Sequence, residues 1–234
     1  SSAPLKDETI VFDYGNISQS QYLQDGYIFG QSPRRGGLSY LEDDANPGVK
    51  IARYGAAVSD RIWSGLESVT EGLVQNQSSL VKVPKSGRTL RTPTFELKHG
   101  KVSCLVIGRG HIVACVDSHR LVAGPLHKQT IKAIGAQAGW VTLDLDRYVG
   151  HRLHLEFVPA ENISLSVRLV AQGVNADGLA DFDRRLAASS KELVAYAEAA
   201  EKIFQKGEVG ADSAVAREMV RAWHRERERL RKHI

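Results

Sequence analysis

The chain has 234 residues, of which 42% are hydrophobic and 25% charged, and its formal net charge is +4 at pH 7. These are ordinary values for a soluble folded protein, and the mild positive charge does not mark a nucleic-acid-binding protein. No apolar run is long enough to cross a bilayer, and the first ten residues contain no hydrophobic segment of a signal peptide. Because the chain does not begin with Met, we expect it to be a processed or excised part of a larger protein.

Residues 1–173 have the composition of an antiparallel β protein. They are rich in Gly, Val, Thr and Ile, and short apolar alternations are broken by turn residues. The predicted strands are ETIVFDY, DGYIFGQ, TPTFELK, KVSCLVIG, HIVACVD, GWVTLDL, HRLHLEFV and ISLSVRLV. Because no helical crossovers separate them, they predict a β-sandwich of jelly-roll type rather than a parallel α/β sheet. Residues 63–84 interrupt this pattern, and we interpret them as an insertion of uncertain form.

Residues 177–234 are predicted to be helical. An apolar stripe at three- and four-residue intervals consists of Leu179, Phe182, Leu186, Leu193, Ala197, Ala200 and Phe204. Asp177 is a candidate N-cap, and Gly207 or Gly210 a candidate C-terminus. A second helix is predicted over residues 213–232, which gives a C-terminal α-helical hairpin whose stripe packs on the sandwich or on a neighbouring domain. Its basic residues alternate with acidic ones, as on a solvated helix face, so we expect neither nucleic-acid binding nor membrane insertion.

Two cysteines, Cys104 and Cys115, flank the sequence Gly-Arg-Gly at 108–110. If Arg109 and Gly110 form a two-residue hairpin turn, the cysteines lie opposite one another; another turn makes them offset neighbours. A zinc site is not expected, because no C-x-x-C or nearby His pair supplies four ligands. The two remaining alternatives are a disulfide and a pair of buried thiols.

No enzyme motif occurs in the chain. G-x-S-x-G, H-E-x-x-H, a phosphate-binding glycine loop and C-x-x-C-H are all absent from the sequence. We therefore expect a non-catalytic protein without a cofactor or bound metal.

Several segments carry a resemblance to a known kind of module. These are DGYIFGQSP, L-R-T-P-T-F at 90–95, G-R-G at 108–110, V-D at 116–117, and D-L-D-R-Y-V-G-H at 144–151. Over about residues 9–173 the chain resembles a non-catalytic β-sandwich of large secreted planctomycete proteins, where it adjoins cytochrome-c-type and other domains. That sandwich is similar to the galactose-binding-like jelly roll of carbohydrate-binding modules.

The resemblance implies an extracytoplasmic module that binds polysaccharide and lies next to other domains of its parent protein. The last strand of such modules usually carries an acidic residue that helps to hold a structural calcium ion. Arg168 stands in that neighbourhood here, which argues against calcium. The alternative function is that of a spacer or protein-docking domain beside a cytochrome-type or other catalytic domain, because the amphipathic C-terminal helices need a surface to pack on.

Sugar sites combine an aromatic or aliphatic surface with polar side chains that hydrogen-bond hydroxyl groups. The segment DSHRLVAGPLHKQ groups the candidate ligand-binding residues Asp117, His119, Arg120, His127 and Lys128. Arg120 and Lys128 would suit an anionic or sulfated polysaccharide. Trp140 is the candidate aromatic platform. The alternatives are that Asp117 only forms the turn and that Trp140 belongs to the core.

Overall fold

The computed structural model describes residues 9–42, 48–60, 63, 87–118, 128–135, 139–160, 163–206 and 221. The strands are β1 (Ile10–Asp13), β2 (Leu23–Gly26), β3 (Ser39–Glu42), β4 (Gly48–Ile51), β5 (Ala57–Val58), β6 (Arg88–Arg91), β7 (Phe95–Glu96), β8 (Lys101–Gly108), β9 (Gly110–Val116), β10 (Ile131–Ile134), β11 (Gly139–Asp144), β12 (Arg152–Pro159) and β13 (Leu165–Gln172). One helix, α1 (Ala176–Lys206), follows them. The fold is mainly β with antiparallel sheets and a C-terminal helix, which confirms the predicted class, whereas the jelly-roll order stays a prediction.

Two antiparallel sheets form a sandwich. The first sheet has the order β1-β13-β8-β11, with β5 also paired to β13. The second sheet has the order β10-β9-β12-β6-β2, with β7 also paired to β12. Buried side chains from both sheets form one apolar cluster, which includes Val106 and Val170 of the first sheet and Leu155 and Phe157 of the second. The core therefore lies between the sheets.

Strand alternation decides which side chains enter that core. In β12, Leu153, Leu155 and Phe157 belong to the core cluster. Because successive side chains of a strand point to opposite faces, the intervening His154 and Glu156 lie on the outer face of the second sheet. This is the pattern of the predicted strand HRLHLEFV.

The Gly-Arg-Gly segment is not a hairpin, so this expectation was wrong. β8 pairs with β11 and β13 in the first sheet, while β9 pairs with β10 and β12 in the second, and none of the described pairings joins β8 to β9. Arg109 therefore connects the two sheets. A Cβ on Gly108, whose φ is 111°, would lie 2.0 Å from the Ser164 carbonyl oxygen, and one on Gly110 would lie 2.2 Å from that of Val158. Glycine has no Cβ, so the backbone can pass close to these carbonyl groups at the crossing, the point where the chain passes from one sheet to the other. The same two glycines are also typical of a hairpin turn, which is why the sequence suggested one.

A second local prediction also failed. The segment DGYIFGQ was predicted to be a strand, but β2 ends at Gly26. Gly26 and Gly30 have φ of 80° and 71°, and the Gly30 amide donates to the Tyr27 carbonyl at 2.8 Å. Gly26 thus ends β2, and a turn from Tyr27 to Gly30 follows where the apolar side chains suggested a strand.

Helix α1 begins one residue before the predicted cap. The amide of Gly178 donates to the Asn175 side-chain oxygen at 2.9 Å, so Asn175, rather than Asp177, is the N-cap. Asp177 lies in the first turn, where its negative charge interacts favourably with the helix dipole. Among the described residues, no helix combines the length and apolar character that crossing a bilayer requires.

Contacts divide the chain into two compact units. The first comprises residues 1–34 and 56–182. In it, Leu179 at the start of α1 packs with Leu169 and Ala171 on the outer face of β13, and Phe182 joins the same cluster. Burying a leucine side chain in this way contributes about 1.5–3 kcal/mol.

The second unit comprises residues 35–55 and 183–234. In it, β3 and β4 form an antiparallel hairpin, and Ile51 packs with Ala197 and Ala200 of α1. The Ile51 amide also donates to Glu201 Oε1 at 3.0 Å. These contacts use part of the predicted apolar stripe. The second predicted helix lies outside the described residues except for position 221, and of the insertion at 63–84 only Trp63 is described.

Candidate functional site

A tight turn follows β9 at Asp117. Asp117 and Ser118 have φ of 49° and 64°, the left-handed conformation that residues other than glycine rarely adopt. The turn is tied to β12 because the Asp117 amide donates to the Arg152 carbonyl at 2.7 Å and the Arg152 amide donates to Asp117 Oδ1 at 3.3 Å. Two consecutive strained residues held by such bonds mark a candidate functional position.

Asp117 forms a pair with His151 at the start of β12. The distance between Asp117 Oδ2 and His151 Nδ1 is 2.6 Å, and the two side chains are 48% and 49% exposed. Since Nδ1 is used by the carboxylate, Nε2 is the ring's remaining hydrogen-bonding atom. The carboxylate thus fixes the orientation of the imidazole while both groups stay accessible to solvent.

Apolar surface lies beside this pair. The Tyr148 ring packs edge-on against the His151 ring, with centroids 6.3 Å apart. Val149 is 49% exposed. Gly150 has φ of 88°, and a Cβ added to it would meet no atom of the described residues within 4 Å. We name Asp117, Tyr148, Val149 and His151 the Asp117 site.

The other predicted ligand residues are placed as follows. Asp117 belongs to the Asp117 site. His119, Arg120 and His127 lie outside the described residues, and Lys128 begins a short 3-10 turn before β10. Trp140 packs edge-on against Phe182, with centroids 5.8 Å apart, on the outer face of the first sheet.

The predictions did not include Tyr148, Val149 or His151 as ligand residues. The segment D-L-D-R-Y-V-G-H places an aromatic, an aliphatic and an imidazole side chain close together after β11, but the sequence does not show that they lie next to Asp117. The pairing of β9 with β12 brings this segment next to Asp117, and that pairing could not be inferred from the sequence.

The two cysteines are not joined in a disulfide, and both are buried. Cys104 belongs to the core between the sheets, where burial raises the pKa of its thiol well above the ordinary value. Cys115 lies between Ala114 and Val116, both members of the core cluster, so its side chain is on the outer face of the second sheet. Of the two alternatives, the structure therefore has buried thiols.

Arg168 lies at a bulge of β13, where the pairing with β8 shifts register. Its guanidinium donates to Asp13 Oδ1 of β1, and the Gly15 amide donates to the same oxygen at 2.9 Å. Burial lowers the pKa of Arg168 from its usual value. Arg168 thus supplies the positive charge next to the Asp13 carboxylate.

The chain was compared with protein-family models, with curated proteins and with solved structures. None of the three comparisons gives a match, so the resemblance to planctomycete carbohydrate-binding-like modules stays a prediction.

Proposed function

We propose that the protein is a non-catalytic carbohydrate-binding module and that its ligand binds at the Asp117 site. The observation that supports this most is the exposed pair of Asp117 and His151 beside the Tyr148 ring. Sugar recognition needs such a combination of planar polar groups and a flat apolar surface.

The polar half of the site suits hydroxyl groups. An ionised carboxylate accepts hydrogen bonds through two oxygens, and an imidazole nitrogen either donates or accepts. Asp117 and His151 are held by each other and by the β12 backbone, so little side-chain entropy is lost when a sugar binds.

The apolar half suits the C–H face of a sugar ring. Tyr148 is partly buried against the core, which keeps its ring in place, and Val149 exposes its branched side chain next to it. An amphipathic ring anchored at one end gives contact area without the cost of ordering a flexible side chain.

The cellular setting that we propose rests on the resemblance to secreted planctomycete modules. We place the module outside the cytoplasm, as one domain of a larger protein, with a polysaccharide ligand. Arg120 and Lys128 follow Asp117 in the sequence and favour an anionic or sulfated glycan.

The alternative function, a spacer or docking domain, rested on the apolar stripe of the C-terminal helices. Leu179 and Phe182 pack on the first sheet, and Ala197 and Ala200 pack with Ile51, so these members of the stripe have partners within the chain. This observation favours carbohydrate binding over docking through the first helix.

The test is affinity electrophoresis of the whole chain through gels that contain neutral or sulfated polysaccharides. The variants are His151→Ala and Asp117→Asn, and the matched control is His111→Ala, a partly buried histidine at the other end of β9. We expect one glycan class to retard the wild type and the control. Retardation should weaken at least about tenfold in the two site variants, since each loses hydrogen bonds.

Two results would contradict the proposal. One is that no glycan retards the wild type. The other is that His151→Ala and Asp117→Asn, folded as judged by circular dichroism, are retarded as strongly as the wild type.

A further inference from the structure

Four polar side chains meet on the outer face of the second sheet. In the antiparallel pairing of β9 with β12, Cys115 lies directly opposite His154. In the pairing of β12 with β6, Glu156 lies directly opposite Arg91. Because His154 and Glu156 are two residues apart on one strand, all four side chains share this face.

Three of these side chains are withdrawn from solvent although they point away from the core. Cys115 and Glu156 are 0% exposed, and His154 is 7% exposed. Arg91 differs, since its side chain is 40% exposed. A buried carboxylate is costly unless a cation lies close to it.

The three buried groups have the spacing of metal ligands. A ligand atom of Cys115, one of His154 and one of Glu156 all lie within 4.8 Å of one another. His154 Nε2 and Glu156 Oε1 are 3.3 Å apart. Ligands on a tetrahedral zinc ion, at about 2.0–2.3 Å from the metal, are separated by roughly 3.3–3.7 Å. The His154–Glu156 pair already has this separation.

We propose that Cys115, His154 and Glu156 form a binding site for a divalent transition-metal ion of the Zn²⁺ class. A thiolate and an imidazole select such an ion over Ca²⁺ or Mg²⁺, which prefer oxygen ligands. A water molecule supplies the fourth position of the tetrahedron.

The contacts of the imidazole show which of its two nitrogens faces the proposed site. Two groups face His154 Nε2: the Arg91 guanidinium at 3.0 Å and Glu156 Oε1 at 3.3 Å. Nε2 is therefore the ring nitrogen that lies next to the Glu156 carboxylate, and it is the atom that would ligate the metal ion.

The charges balance when the ion binds. Cys115 loses its thiol proton to solvent, so thiolate, carboxylate and a 2+ ion sum to zero. Arg91 gives up its bond to Nε2 at the same time. Its side chain is partly exposed, so it can turn to water, and Arg91 acts as a cation that occupies the site until the metal replaces it.

The chain contains its own control. Cys104 is also a buried cysteine, but it lies in the core between the sheets with Val141 and Val170 opposite it on the neighbouring strands. Substituting Cys104 therefore changes the thiol content without touching the proposed ligands.

The test is to titrate the metal-free whole chain with Co²⁺ and to monitor binding by the thiolate-to-cobalt charge-transfer absorption. Zn²⁺ is then added to displace the Co²⁺. We expect one equivalent of Co²⁺ and the release of a proton. Cys104→Ala should keep the absorption and Cys115→Ala should lose it. Glu156→Gln, which keeps the side-chain volume, should weaken binding at least about tenfold.

Arg91→Met gives a readout that a merely structural cluster would not produce. It removes the competing cation, so we expect Co²⁺ to bind it at least about tenfold more tightly than the wild type. Absence of charge-transfer absorption in the wild type, or its persistence in Cys115→Ala, would overturn the proposal. Both outcomes are independent of glycan binding, because the Asp117 site shares none of these side chains.

Discussion

The guanidinium of Arg168 donates to the carboxylate of Asp13, and this ion pair joins the bulge of β13 to the end of β1. The Arg168 side chain is 14% exposed and that of Asp13 is 26% exposed. Solvent therefore screens the pair only partly.

We expect Arg168→Met to lower the free energy of unfolding by about 1–3 kcal/mol, because it leaves a largely buried carboxylate without its cation. Urea denaturation measures this loss. The double variant Arg168→Met with Asp13→Asn should recover part of the lost free energy. If a double-mutant cycle shows no coupling between the two positions, the ion pair does not stabilise the protein.

Gly108→Ala should destabilise the protein by about 2–4 kcal/mol, because the new Cβ would collide with the Ser164 carbonyl and the backbone has φ of 111°. Gly135→Ala is the matched control, since no atom in the described part of the chain lies within 4 Å of its Cβ position. We expect that control to stay within about 0.5 kcal/mol of the wild type. Equal thermal unfolding temperatures for Gly108→Ala and Gly135→Ala would contradict the close approach of Gly108 to the Ser164 carbonyl.

Asn175→Ala should cost about 1 kcal/mol, because it removes the acceptor for the Gly178 amide. Asp177→Ala removes only a favourable charge in the first turn and should cost about 0.3–1 kcal/mol. Chemical denaturation of both variants compares them directly. A larger loss for Asp177→Ala would restore Asp177 as the cap.

Stability should fall at alkaline pH. Burial raises the pKa of Tyr14, Tyr22 and Cys104 above the ordinary values of 10.0 for tyrosine and 9.0 for cysteine. The folded state therefore keeps protons that the unfolded chain releases, so the stabilising contribution is complete below about pH 9 and is lost as pH rises further.

Tyr22→Phe isolates one part of this effect. The variant loses the hydrogen bond from the Tyr22 hydroxyl to the Phe29 carbonyl, which is 2.8 Å long, at a cost of about 1 kcal/mol at pH 7. Its urea midpoint should then fall less steeply between pH 9 and about pH 11 than that of the wild type. An identical slope would mean that Tyr22 ionises equally in both states.

The sequence predicted the long strands well because their side chains alternate. KVSCLVIG matches β8 (Lys101–Gly108) at both ends, and β12 and β13 are displaced by only one or two residues. It did not predict the short strands β3, β4, β5, β6 and β10. Among these, β5 has only two residues and β6 has an arginine at each end. Such segments become strands through the neighbours with which they pair rather than through their own composition.

The candidate site was predicted to the extent that it depends on local sequence. Asp117 was recognised from the turn that follows a strand. Its partner His151 could not be, because the two are brought together by the pairing of β9 with β12, and strand partners distant in sequence leave no local signal. The same pairing places His154 opposite Cys115, which is why the sequence favoured no metal site.

The crossing at Arg109 also bears on how the protein folds. Since β8 and β9 enter different sheets, two strands adjacent in sequence do not form a hairpin that could nucleate early. The first sheet instead joins β1 to β13, which pairs Ile10 with Ala171. During synthesis, β1 cannot complete its ladder until β13 has been made. Such high contact order requires closing long loops before contacts stabilise them, so we expect refolding in the millisecond-to-second range typical of β-sandwiches.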